Sequence, residues 1–375
     1  MHLFIAQIFV FIGVCQGADL RSGAARLDIT GSVVGQAMMG FGKSEFKNRG
    51  IHTRLYARAA YFETATESFA FVSLDQAMVP ELLKQDVLKL LQLWTPGKFN
   101  DSNVMLTATH THAGPAGYMH HPLYLLASGG FDKKYFSYLT RQVATAIDAA
   151  RRSSVKARVS VAQTELTDAS FNQSVIPYSL NLNASDFEYD RNPLSTTIRI
   201  EKNDGSARPI GLINWFSVHP TSLGNENRLV SGDSKGAAAW LVEQELGGVA
   251  AFANSDEGDV SGEVFHTAEL SPMEKSLEVA RRQSEGAMRA HALAASQPAL
   301  DGNLRTLTQW VEMPETKVAK LCEPALGYSF AAGSEDGPTH LAGFFEGMRQ
   351  GEFQLPPFVA LANWILGPLL RPTKV

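Results

Sequence analysis

The chain has 375 residues, 45% of them hydrophobic and 19% charged, with a formal net charge of −5 and only two cysteines. That length and balance describe a globular protein with a sizeable core and exclude a disordered chain. No long basic run stands out, which excludes nucleic acid as the main partner.

The N-terminus opens on a short apolar run, Leu3 to Cys15, too short to span a bilayer comfortably. Small residues follow, and Cys15 and Gly17 fit the positions three and one before a cleavage point. A secretory signal peptide over residues 1–17 is expected, and with it a secreted or extracellular product, although His2 and the amino terminus replace the usual Lys or Arg. Loss of Cys15 leaves Cys322 without a partner in an oxidising compartment. Asn-X-Ser sequons at Asn100, Asn172 and Asn183 are compatible with a glycoprotein on that route.

Residues 54–62 and 68–75 read as a hairpin around Thr64–Ser68. Residues 81–94 repeat apolar side chains three and four apart and predict an amphipathic helix. An apolar, β-branched strand follows from Asn103 and ends abruptly at His110 and His112, before a break at Gly114-Pro115. Residues 133–152 predict a second helix, with Tyr135, Leu139, Val143 and Ile147 on one stripe. Strands are expected at about 157–163, 195–202 and 209–218. Ser234–Leu246 reads as a helix stopped by Gly247-Gly248, with Asp233 as its cap, and Val249–Asn254 as a short buried strand. A long helix covers about 271–295, opened by Ser271-Pro272. The apolar stretch Pro356–Leu370 reads as a helix in need of a partner surface. Strands and helices interleave throughout, so the expected class is α/β, with mixed β-sheets layered with helices in a single large catalytic-type domain.

Three segments share one pattern: an apolar strand, a residue able to do chemistry, then a turn. The first ends in His110 and His112, which strand alternation would point to one side. The second, Ile213–Ser222, ends in His219 before Pro220. The third, Phe252–Gly262, carries Asp259 and Ser261 after its strand. Such ends can meet despite their separation in sequence. Neutral imidazole is a preferred zinc ligand, and a catalytic zinc needs about three protein ligands with one open position. His110 and His219, with or without His112, supply two or three. Ser261 reads either as a turn former or as a hydroxyl activated by a metal-bound water or a neighbouring base.

The segments Thr109–Gly117, Asn214–Ser222, Leu229–Gly236, Gly258–Ser261 and Cys322–Gly333 resemble the neutral/alkaline ceramidases. So do Leu27–Gly31, Met38–Gly42 and Gly50–Arg58, in the same order, and the resemblance runs from about residue 25 to the end. It implies a zinc-dependent amidohydrolase of sphingolipid catabolism that cleaves ceramide, or a related N-acyl sphingoid lipid, into sphingosine and a fatty acid. A substrate of that kind leaves room for peripheral membrane contact. The two zinc histidines of the family fall on His110 and His219, the histidine beside the reacting carbonyl on His112, and the serine described as nucleophile on Ser261.

Three departures accompany the resemblance. A substrate-binding arginine of the family is matched by Gln173, which donates a hydrogen bond but brings no charge. The turn after Ser261 is Gly262-Glu263 rather than Pro-Asn. The family also continues past residue 375, where a Glu and a Tyr for the zinc, an immunoglobulin-like domain and a cysteine partner for Cys322 are expected. Residues 18–375 therefore read as the N-terminal ceramidase domain, incomplete at its C-terminal end. The alternative is a catalytically impaired, secreted lipid-binding relative or a fragment lacking those ligands. Water attack and an acyl-serine route both remain compatible with these residues.

Overall fold

The computed structural model describes residues 20–31, 34–41, 46–262, 270–300, 304–311, 333–334 and 337–338. The expected signal peptide, Cys322, Glu263 and the apolar stretch 356–370 lie outside the described residues.

The main elements are β1 (Arg21–Asp28), β2 (Gly50–Ile51), β3 (Tyr56–Glu63), β4 (Ser68–Leu74), α1 (Glu81–Trp94), β5 (Val104–Ala108), α2 (Pro122–Ser128), α3 (Lys133–Arg152) and β6 (Val155–Glu165). They continue with β7 (Phe171–Asn172), α4 (Val175–Ser179), β8 (Leu194–Lys202), β9 (Pro209–Phe216), β10 (Leu229–Val230), α5 (Asp233–Leu246), β11 (Val249–Asn254), β12 (Val260–Ser261) and α6 (Pro272–Ala295). Eight strands join in the order β11-β9-β8-β6-β1-β3-β4-β5. The pairs β4/β5 and β9/β11 are parallel and the other pairs antiparallel. Each parallel pair needs a crossover, supplied by α1 and α5 respectively.

Only Arg21 and Ser22 of β1 pair with β6, so the ladder nearly divides there into two four-stranded halves. Side-chain alternation shows how the halves stack. Ala57, Ala59 and Tyr61 of β3, with Ala70, Val72 and Leu74 of β4, turn toward α1 and α3. Ala60, Phe62 and Phe71 turn the other way, onto Val159, Ile200, Ile213, Ala251 and Ala253 of the second half. Leu212, Ala250 and Phe252 then face α5 and α6. The result is helix, sheet, sheet, helix, the layered α/β class expected, with the two sheets back to back.

The helix stripes follow from sequence period. Tyr135, Leu139, Val143 and Ile147 of α3 are all buried, and the Asp132 carboxylate caps that helix by accepting from the amides of Lys134 and Tyr135. Helix α6 opens on a full capping box: Ser271 accepts from the Glu274 amide, and Glu274 reaches back to the Ser271 amide. Ser271→Ala is expected to cost about 1 kcal/mol in urea unfolding, with little effect on the distant core. Asp233 does not cap α5 in that way. The N-cap is Gly232, with no side-chain cap bond, and the Asp233 carboxylate, one residue inside the helix, accepts from the Ser234 amide at 2.6 Å and from Ser276 Oγ at 2.8 Å, the second bond tying α5 to α6. Of the three sequons, Asn172 is buried and donates to the Asp190 carbonyl at 2.9 Å, so the folded state leaves that amide no room for a glycan.

His291 of α6 is buried beside the Arg199 guanidinium, 3.2 Å from its Nδ1. Burial first, and that charge second, push its pKa down to about 4 from the ordinary 6.5. The folded ring stays neutral where the unfolded ring takes a proton, so stability drains away as pH falls from about 6.5 toward 4. His291→Gln is expected to make the acid limb of the stability curve shallower. Urea unfolding between neutral pH and pH 4.5 measures that slope.

Candidate metal centre

Strand β5 stops at Ala108, and the chain continues beside the end of β4. The amide of Thr109 donates to the Leu74 carbonyl at 2.8 Å and that of His110 to the Gln76 carbonyl at 2.9 Å. His110 then takes a left-handed backbone, with φ 67°. An L-residue adopts that region at a cost of about 1–3 kcal/mol and keeps it where the surroundings over-determine it. His110 and His112 therefore do not reach one site through strand alternation. A turn at His110 brings their rings together. Two bonds hold that turn: Thr111 Oγ1 donates to the Ser231 carbonyl at 2.8 Å, and Asn254 Nδ2, at the end of β11, donates to the Thr109 carbonyl at 2.9 Å.

His219 lies three residues beyond β9. Its amide donates to the Val260 carbonyl at 2.7 Å, in a parallel bridge with Ser261 of β12. On its other side β12 pairs with β7, Ser261 opposite Phe171, and the Gln173 amide donates to the Asp259 carbonyl at 3.0 Å. One short strand thus carries Ser261 between His219 and Phe171, with Gln173 two residues further along β7's path. The Ser261 hydroxyl makes no hydrogen bond among the described residues.

The three rings converge. His112 Nε2 lies 3.2 Å from His110 Nε2 and 3.1 Å from His219 Nε2, and ring centroids are 4.5–4.9 Å apart, edge to face. Ligands at about 2.0–2.1 Å from a tetrahedral zinc lie about 3.3 Å from one another, so this spacing suits a single ion. The outer nitrogens differ. His110 Nδ1 bonds the Ala77 carbonyl, and His219 Nδ1 lies 3.2 Å from the Gly258 carbonyl. A carbonyl there fixes the Nδ1–H tautomer and leaves the Nε2 lone pair free for a metal. His112 Nδ1 is buried with no such partner. Burial, then the His219 ring, push the His110 pKa down to about 4. Burial, then His219 and His110, hold His112 well below the ordinary imidazole value. Both rings are neutral near pH 7, the form that binds metal. Among the described residues this is a group of histidines alone.

Gly40 and Phe41 close the far side of His112. Phe41 meets its ring edge-on at a centroid distance of 4.8 Å. Gly40 has φ +123°, and a Cβ there would overlap the His112 ring, so the close approach requires glycine. Met38–Gly42 was visible in the sequence as a family-like segment, but nothing in its composition tied it to His112. The Ala77 and Gly258 carbonyls are likewise invisible to sequence, because the backbone path decides where they point.

Known proteins resemble the chain over most of its length. Residues 21–271 match the family model for neutral/alkaline non-lysosomal ceramidase, N-terminal. A neutral ceramidase of Pseudomonas aeruginosa is 32% identical over 367 residues, covering 92% of this chain and 53% of the relative. One of Drosophila melanogaster is 30% identical over 388 residues, covering 89% and 55%. The solved neutral ceramidase from Pseudomonas aeruginosa superposes with a TM-score of 0.70 at 31% identity, over 74% of this chain and 46% of that one. A ceramidase complexed with C2 gives a TM-score of 0.69 at 31% identity, over 74% and 44%. The chain spans about half the length of the curated relatives it matches.

Proposed function

The chain belongs to the neutral/alkaline non-lysosomal ceramidase family, and from that premise we propose that it acts as a zinc-dependent amidohydrolase on the N-acyl bond of ceramide. The observation that carries the reading is the convergence of three Nε2 atoms, two of them on rings whose Nδ1 is held by a backbone carbonyl. His110 and His219 are assigned as the zinc ligands on that difference. Bound zinc supplies Lewis acidity toward the amide carbonyl and lowers the pKa of water toward neutrality.

The remaining roles belong to the chain's own groups. His112 is neutral, and its Nε2 faces the same centre, so it is suited to hold or pass a proton beside the reacting carbonyl. Ser261 offers a hydroxyl on the strand bridged to His219. Gln173 offers an amide donor to the substrate head group, without charge. Hydrolysis breaks the C–N bond, leaves hydroxyl oxygen on the acyl carbon and delivers a proton to the departing sphingosine amine.

Ceramide labelled in its acyl chain tests the reading directly. The full chain with zinc is expected to release labelled fatty acid, to stop when a chelator is added and to resume when zinc is restored. A folded, zinc-loaded sample that releases none would overturn the hydrolase assignment. Ceramide retained without turnover would support the lipid-binding alternative that Gln173 motivates.

A further inference from the structure

Lysine is rarely buried without a reason, because its ammonium loses its hydration shell. Lys235 of α5 is fully buried. Its Nζ donates to the Phe216 carbonyl at 2.9 Å and to Gln283 Oε1 of α6 at 3.3 Å. Phe216 is the last residue of β9, three before His219. The same Phe216 carbonyl also accepts from the Ser255 amide at 3.4 Å.

The neighbouring bonds form a seam between β9 and the turn after β11. Ser217 Oγ donates to the Asp256 carbonyl at 2.6 Å. The Val260 amide donates to the Glu257 carbonyl, and the His219 amide to the Val260 carbonyl. Glu257 is the carboxyl group whose charge acts on Lys235, and its Oε2 is buried with no hydrogen-bond partner. Burial pushes the Lys235 pKa down and the Glu257 pKa up, each opposed by the other's charge.

We propose that Lys235 and Glu257 are a buried positioning pair for the metal centre. Lys235 fixes the end of β9 that delivers His219. Glu257, in the turn that presents the Gly258 carbonyl to His219 Nδ1 and leads on to Ser261, supplies the countercharge that keeps Lys235 at that strand end. The inference rests on the metal reading above and adds two residues that touch neither ion nor substrate. It also gives the cost of burying Lys235 a purpose: the cation sits under the point where two strand ends from one half of the sheet meet.

The test uses the full chain and its Lys235→Met, Glu257→Gln and doubly substituted forms. Zinc affinity is read by competition with a chromogenic chelator, and hydrogen exchange of the metal-free chain is read over residues 216–222 and 255–262. Each single variant is expected to weaken zinc about 10–100-fold, the range for groups that orient a ligand, and to speed exchange over those two segments. The double variant removes the unpaired charge and is expected to regain melting temperature but not zinc affinity. Wild-type zinc affinity in the single variants, or its full recovery in the double, would overturn the proposal and leave only charge balance. If Lys235→Met does not fold, Glu257→Gln decides alone. A wild-type chain that binds no zinc would refute the metal reading, and the exchange data would still decide the pair: unchanged exchange overturns it.

Discussion

His110→Ala and His219→Ala are each expected to lower zinc affinity by more than about 100-fold, beyond the 10–100-fold typical of supporting groups. His112→Ala is expected to retain most of the metal and lose turnover. All three Nε2 atoms face the same point, so proximity alone does not separate the rings. The outer nitrogens do. The Ala77 and Gly258 carbonyls hold His110 and His219 in the tautomer and orientation a ligand needs. His112 lacks that support and is instead packed between Gly40 and Phe41. Metal content after dialysis, measured alongside acyl release, separates the two classes. Equal metal loss in all three variants would make His112 a third ligand and reassign its role.

Arg58→Met is expected to be the most damaging single change outside the centre, at about 3–5 kcal/mol. Arg58 is 2% exposed, with Nη1 2.8 Å from Asp75 Oδ2 and Nε 2.9 Å from Glu243 Oε1. Burial alone disfavours its charge, but Asp75 and Glu243 outweigh that and raise its pKa. Burial in turn raises the Asp75 pKa, with Arg58 opposing. Methionine fills most of the volume and leaves the buried Asp75 without its cation and the buried Glu243 with Arg26 alone. Out of a typical total of about 5–15 kcal/mol, such a loss removes much of the margin. It also reaches the centre, because Asp75 adjoins Gln76, whose carbonyl accepts the His110 amide, and packs against Gly232 and Gly236 where α5 begins. Arg26 touches the same Glu243 from a half-exposed position, and Arg26→Ala is expected to cost under about 1 kcal/mol. Urea unfolding of both variants checks the contrast; a loss below about 1 kcal/mol for Arg58→Met would contradict it.

The parts of the fold legible in sequence are those that local periodicity controls. Helices α1 and α3 begin and end where the 81–94 and 133–152 patterns place them. Strand β9 ends at Phe216 rather than 218, because Ser217 leaves the ladder to bond the Asp256 carbonyl. Strand β1 was not legible: Arg-Ser-Gly-Ala-Ala-Arg-Leu-Asp has no apolar alternation, and it is a strand because β3 pairs along its whole length. Helix α2 was missed as well. The two-residue strands β7 and β12 have no period to read, yet they set Ser261 opposite Phe171 and bring Gln173 against Asp259. Strand-end histidines drew attention to the centre, while the left-handed turn at His110 that assembles it is a tertiary outcome. Lys235 sat in view inside Ser-Lys-Gly-Ala-Ala-Ala, but a lone lysine among small residues reads as solvated until its burial is known.

Zinc-edge X-ray absorption of the full chain loaded with one equivalent of zinc tests the central claim most directly. The account predicts nitrogen at about 2.0–2.1 Å, with outer-shell imidazole scattering that weakens in both His110→Ala and His219→Ala. A first shell of oxygen alone, or a spectrum unchanged by those substitutions, would contradict it.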